Sequence, residues 1–170
     1  QEVPKPTAIA RGYLDESKTL STTTVLEKLQ EDNENSVDAI LFLKQRMMDI
    51  YLGEWDRGLD KWRWSAKKSG AKTIFTPIEL EREQTFSRYT GIVPFFIAQN
   101  VAQIESCDDN YPWIADLTWS GRHLDRRFLS SLEKPVWDSL KTFILSKLTD
   151  ELIEESVKQL PPEMFEKEGE

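Results

Sequence analysis

"GEWDRGLDKWRW", residues 53–64, holds three of the chain's six tryptophans, two aspartates and three basic residues within twelve positions. Its reading decides the fold, because it joins two different periodicities. Upstream, "SVDAILFLKQRMMDIYLG" places Val37, Ile40, Leu41, Met47, Met48, Tyr51 and Leu52 at helical spacing. Ser36 is the expected cap, Gly53 the stop, and the methionines core filler. Downstream, Trp62 and Trp64 alternate with Arg63, and "KKSG" separates them from Thr73, Ile74, Phe75 and Thr76. Two short runs around a glycine turn predict a β-hairpin. Alternation sends Trp62 and Trp64 to one face, where they pack on the preceding helix rather than stack a sugar or a base.

The same spacing logic extends outward. "STTTVLEKLQED" predicts a short helix capped by the hydroxyls at its start. "REQTFSRYTGIVPFFIAQNVAQI" predicts a turn feeding a helix near Pro94, and "ESCDDNYPW" a loop. A short capped helix is predicted from Ser120. In "EKPVWDSLKTFILSKL", Pro135 suits a first turn, and Val136, Trp137, Leu140, Phe143, Ile144 and Leu148 form one face. Thr149 caps a last helix whose first turn carries Asp150 and Glu151, where the helix dipole favours acids. The expected organisation is an extended arm or linker over 1–20, a single helical domain over 21–166 and a tail over 167–170. The expected class is mainly α with one small β-hairpin.

Composition narrows the functional classes. The chain has 170 residues, 31% of them charged, and a formal net charge of -8. Such an acidic chain is a poor general nucleic-acid binder, since phosphate contact needs clustered Lys and Arg. The only histidine, His123, reads as a partly exposed residue at a helix start, and one histidine excludes a His-rich zinc site. The only cysteine, Cys107, lies in acidic "ESCDDN", which disfavours a thiolate. No run of about 18 apolar residues exists to span a membrane. The chain begins at Gln1 without an apolar signal segment, as a mature or excised piece of something longer would.

Two constellations could carry chemistry. Asp56 follows a long helix in a loop, where a rigid framework can present a side chain. A loop aspartate followed by a polar metal ligand, with a further acid downstream, is the set that phosphoryl transfer uses to align and neutralise its charges. In "PIELEREQ", Glu79, Glu81 and Glu83 alternate. On an extended segment all three share a face and suit magnesium, manganese or calcium; otherwise they line an exposed edge beside Arg82 and Lys72.

Four blocks carry a resemblance: "VDAILFLKQRMMDIYLGEWDRGLDKWRW", "TPIELEREQTFSRYTGIVPFF", "LDRRFLSSLEKPVWDSL" and "LTDELIEESVKQLPPEMF". Their order resembles the middle segment, of the type "GDWDRHxDQWRW … PIPRDRDQAF", of large bacterial envelope proteins. Those proteins often carry a calcineurin-like metallophosphoesterase domain and an outer-membrane barrel of the surface-antigen type. That segment in turn resembles, more distantly, the C-terminal lobe of toxin-type and spore-coat kinases. The resemblance implies a kinase-C-lobe-like fold, an envelope location on the periplasmic side of the outer membrane, and a protein partner or further domains of a larger envelope protein. It places Asp56 at the catalytic acid–base position and Glu81 and Glu83 at the metal-holding aspartates, with Mg²⁺ or Mn²⁺ as the ion of an active site.

The departures from that pattern matter. Gly58 stands for the family's His, and Glu replaces Asp twice. Lys61 stands where a metal-holding amide belongs, and a charged lysine has no lone pair to give a metal. Only 55 residues precede Asp56, with Gly12 the one glycine before Gly53, so no Gly-rich phosphate loop is present ahead of it. The expectation is a degenerate site in a non-catalytic interaction or structural module. The alternatives are a metal-dependent phosphotransferase lobe served by a nucleotide lobe from elsewhere, and a glycan-binding module using exposed tryptophans.

Overall fold

Asp38 is where helix and sheet meet. Its backbone N–H donates to Phe75 O at 2.9 Å, continuing a strand, while its carboxylate caps the next helix by accepting from Leu41 N at 3.0 Å. The computed structural model describes residues 19–89, 106–107, 111, 113–159 and 162. Residues 1–18 of the arm expected over 1–20, and the helix expected near Pro94, lie outside them. In chain order come β1 (Leu20–Ser21), α1 (Thr22–Glu31), β2 (Ser36–Val37), α2 (Ala39–Tyr51) and a 3-10 turn (Leu59–Lys61). Then follow β3 (Trp62–Ser69), β4 (Lys72–Glu79), α3 (Ile114–Leu117), α4 (Arg122–Leu129), α5 (Lys134–Leu145) and α6 (Asp150–Val157). The backbone divides into two compact units, one up to Ser130 and one from Ser131.

The hairpin is not isolated, and the expected class needs correction. Its strands are the centre of a four-stranded mixed sheet of order β1-β3-β4-β2, so the described chain is mixed α/β rather than mainly α. β1 pairs antiparallel with β3 (Leu20 opposite Trp64), and β2 pairs parallel with β4 (Val37 opposite Phe75). Each outer strand is two residues long, too short for alternation to show in the sequence. Ser36, expected as a helix cap, is therefore a strand residue, and Asp38 is the cap.

The hairpin turn is Gly70–Ala71, closed by the Ser69–Lys72 pair. Gly70 has φ +66, at the loop position where a II′ turn takes glycine. Ser21 caps α1 as expected, accepting from Thr24 N at 3.2 Å. Thr149 does the same for α6. Pro135 sits in the first turn of α5, where its missing N–H costs nothing.

In the first unit the core is aromatic. Trp62 and Trp64 both point inward from β3 and are 1% and 0% exposed. Phe42 of α2 lies 4.8 Å from the Trp62 ring, and Phe128 of α4 meets Phe42 and Trp64 edge-on, each at 5.4 Å. Trp64 Nε1 donates to Thr22 Oγ1 at 3.0 Å, and that hydroxyl donates to Leu59 O at 2.7 Å. Burying an aromatic of this size removes roughly 150–250 Å² from water, about 4–6 kcal/mol of transfer free energy. Of the apolar face expected on α5, only Ile144 is buried and Trp137 and Phe143 are exposed; Leu145, outside that face, is exposed as well.

Trp64→Ala is expected to cost about 3–5 kcal/mol, as for large-to-small changes in a packed core. Leu145→Ala should stay within about 0.5 kcal/mol. Urea unfolding of both variants checks the contrast.

Candidate functional site

The inward stripe of α2 is Phe42, Arg46 and Asp49, one apolar residue followed by two charges at helical spacing. Asp49 is fully buried and is the hub of a charge network. Its Oδ2 accepts from Arg46 Nη1 at 3.1 Å and Arg57 Nε at 2.9 Å, and its Oδ1 from Arg82 Nε at 3.0 Å. Arg46 also grips Asp125 of α4 through two bonds, Nε–Oδ1 at 2.7 Å and Nη2–Oδ2 at 3.0 Å. Arg82 reaches Glu79 at the end of β4 at 2.6 Å. Three guanidinium groups thus face three carboxylates, and the balance of charge is what lets the cluster leave water. Burial works against the charge of Arg46, but Asp125 and Asp49 outweigh it and raise its pKa.

α2 ends at Gly53, whose φ of +71 is the left-handed residue that closes many helices. A Cβ there would meet Tyr111 Oη at 2.7 Å. The chain then runs irregularly through Glu54–Gly58. Glu54 is buried and its carboxylate holds three donors: Asp56 N at 3.2 Å, Gln84 N at 2.9 Å and Thr85 Oγ1 at 3.3 Å. Arg57, fully buried, donates through Nη1 to Leu80 O at 3.2 Å and Glu81 O at 2.9 Å, and stacks 4.4 Å from the Trp62 ring. Ser120 was expected to cap a helix. Instead its hydroxyl accepts from Arg57 N at 2.9 Å and donates to Trp55 O, while Gly121 occupies the start of α4 without a side-chain cap.

These ties decide where the sequence candidates stand. Lys61 O accepts from Leu80 N at 3.0 Å, and Arg57 holds the Glu81 carbonyl, so residues 80–81 run beside the loop. Asp56, about one-third exposed, and Glu81 converge on one ammonium: Lys61 Nζ lies 3.3 Å from Asp56 Oδ2 and 3.8 Å from Glu81 Oε2. The two carboxylate oxygens are therefore within about 7 Å of each other. Partial burial opposes the Lys61 charge, but Asp56, with Glu83 and Asp60 behind it, outweighs that and holds the ammonium above the ordinary lysine range.

Glu79, Glu81 and Glu83 do not share a strand face. β4 stops at Glu79 because Arg57 takes the next carbonyls, and Glu83 begins a turn. Among the described residues no group of three or more His, Cys, Asp or Glu is placed to hold a metal. His123 is exposed near the start of α4, and Cys107 is a free, half-buried thiol. Trp62 and Trp64 are inside and cannot stack a glycan, while Trp55 is half-buried and donates to Tyr89 Oη at 3.2 Å.

Reading α2 by its apolar residues alone missed the hub. Ile40 and Tyr51, assigned to the apolar set, are exposed, and Arg46 and Asp49 are inside. The signal available was the register: Arg46 and Asp49 lie four and seven residues after Phe42, on its face, with opposite charges three apart. Gly121 was a second clue visible only in space. A Cβ there would come 2.7 Å from Arg46 Nη2, so the glycine makes room for the guanidinium.

Asp49→Asn should cost about 3–5 kcal/mol, because it leaves buried guanidinium charge uncompensated. Asp56→Asn should cost under about 1 kcal/mol, because its ion pair is partly solvated. Denaturant melts separate the two.

Burial pushes the Glu79 carboxyl above its ordinary value, with Asp49 adding and Arg82 opposing. Between the ordinary value of 4.5 and the raised one, the folded state holds more protons than the unfolded state. Stability from this group is therefore greatest below pH 4.5 and falls as pH rises through that window. Glu79→Gln should remove this component of the slope in melting temperature against pH.

Comparison of the chain with protein-family models, curated proteins and solved structures found no match.

Proposed function

We propose that this chain is a non-catalytic, kinase-C-lobe-like interaction or structural module of a cell-envelope protein or assembly. The observation that carries the reading is the fate of the charges around Asp56. Glu54 and Arg57, on either side of it, are fully buried and bind the backbone of residues 80–84 and the Ser120 hydroxyl. The stretch that resembles a catalytic loop is occupied in holding a helix end, a hairpin end and the start of α4 together. Asp56 itself is paired with Lys61.

The interaction half of the reading is supported by large apolar side chains left at the surface. Trp113, Ile114 and Trp119 are exposed in the first unit; Phe143, Leu145, Leu152 and Ile153 are exposed in the second. Exposed apolar side chains, where they gather, mark protein-binding surfaces more often than chance. The envelope location and the protein partner rest on the resemblance in the four sequence blocks. Among the described residues no helix is long and apolar enough to cross a membrane.

One observation favours the second reading, a metal-dependent phosphotransferase lobe with Asp56 as base. Asp56 and Glu81, the two positions such a reaction would use, do converge on one cationic group. The readings part in a transfer assay. With ATP and millimolar Mg²⁺ or Mn²⁺, phosphate transfer to the chain itself and to a generic protein substrate is expected to match an enzyme-free control. Asp56→Asn is expected to change nothing. Transfer that Asp56→Asn abolishes would replace the module by the enzyme.

A further inference from the structure

α4 sorts its charges by side. Leu124, Phe128 and Leu129 are buried, and Asp125 turns inward with them, where Arg46 binds both of its carboxylate oxygens. The outer side carries Arg122, His123, Arg126 and Arg127. In sequence, "RHLDRR" is a basic run broken by an acid. In space the acid belongs to the buried network, and the basic face is unbroken. Arg122 lies over the exposed Trp119 ring at 3.9 Å. Among the described residues, none of the three outer guanidinium groups has a carboxylate partner. On a chain of net charge -8, a positive face without partners is a local exception.

Beside this face, a groove of about 250 Å³ runs between α1, the 3-10 turn and α4. Leu26, Leu59 and Leu124 form its apolar surface, and Gln30, His123 and Arg127 supply its polar groups. No acid is among these six residues. Leu59 is 45% exposed, so apolar surface there stays in water until something covers it.

We infer that the groove and the outer face of α4 together dock an acidic segment of a partner protein, with one bulky apolar side chain on the leucines and flanking carboxylates on Arg126 and Arg127. Charge complementarity selects the occupant. A guanidinium binds a carboxylate through two parallel N–H groups, and two such groups stand side by side here. The size of the groove selects the apolar part. It falls below the roughly 300–1,000 Å³ of small-molecule sites and suits a single side chain. An anionic membrane is a poorer match. The field of a few side chains fades within roughly 8–10 Å at physiological salt, beyond which the acidic remainder of the chain is repelled by such a surface. This deepens the reading of the chain as an interaction module, and rests on it, by naming one docking face and the chemistry of what it holds.

The test is a panel of short dye-labelled peptides, titrated with the whole chain and read by fluorescence anisotropy. Each peptide has a central Leu, Met or Phe between glutamates. Matched peptides carry lysine for glutamate, or serine for the apolar residue. The acidic apolar peptides are expected to bind, and both matched sets to bind at least about tenfold more weakly. Affinity should fall as salt rises from about 50 to about 200 mM. Arg126→Glu combined with Arg127→Glu, both on exposed side chains, should weaken binding at least about tenfold. Leu59→Ser should erase the advantage of the apolar peptides over their serine counterparts. Lys68→Glu, a charge reversal on the exposed end of β3 near Gly70, should bind as the unmodified chain does. Circular dichroism confirms folding of each variant.

The inference is overturned if no acidic peptide binds better than its lysine counterpart, or if the arginine reversals leave binding unmoved. It is equally overturned if phosphatidylglycerol vesicles bind this face where the peptides do not. Sedimentation showing self-association that the arginine reversals abolish would make the occupant a second copy instead. None of these is the result that sinks the module reading, which is phosphate transfer by the unmodified chain.

Discussion

The Asp49 carboxylate, fully buried and hydrogen-bonded to three arginines, is the interaction on which the first unit depends. Each guanidinium leads to a different part of the structure. Arg46 carries the tie to α4 through Asp125, Arg57 to the 54–58 loop and the 80–81 backbone, and Arg82 to the end of β4 through Glu79. An ion brought in from water at several kcal/mol of desolvation is tolerable only when opposite charges and hydrogen bonds offset that cost, and all three Asp49 partners are guanidinium groups. That requirement is what gives the cluster its directional force. An aromatic core alone is content with many packings; a carboxylate that must meet three donors fixes one arrangement of helix, loop and strand.

The aromatic core and the charge cluster are stacked layers rather than rival devices. Phe42 faces Trp62 and Trp64, and one helical turn later Arg46 begins the polar layer. Arg57 joins the two by laying its guanidinium against the Trp62 ring while its Nε binds Asp49. A guanidinium suits this place better than an ammonium would, because it is flat, more weakly hydrated and able to bind along its edges while stacking. The glycine at 121 belongs to the same design, since any side chain there would enter the space of Arg46.

How much of this was legible in the sequence varies with the range of the interaction. The α1 cap at Ser21, the stop at Gly53, the hairpin around Gly70 and the cap at Thr149 are local devices, and the residues that form them are adjacent. The inward alternation of Trp62 and Trp64 was legible for the same reason. β1 and β2 were not, because a two-residue strand has no period and exists only through its partner. Ser120 was misread because a serine before a helix has two uses, and the nearer one looked sufficient. The long-range acceptor, Trp55 O, is sixty-five residues away. Asp56 and Glu81 could be named as a pair from the resemblance, but nothing local said that Lys61 would stand between them.

That last point bears on what the loop can do. The position of Asp56 is set from behind by Glu54, which holds its amide, and the position of Glu81 is set from behind by Arg57, which holds its carbonyl. Both supports are fully buried residues whose partners are protein groups. The approach of the two carboxylates is therefore a consequence of the fold. Coulomb repulsion between them must then be met by something, and Lys61 meets it at the cost of fixing a long side chain. A lysine at the fifth position after Asp56 thus has a physical reason within this chain. Where buried ties bring acids together, a cation tethered to the same loop offsets their repulsion, and Lys61 does so here.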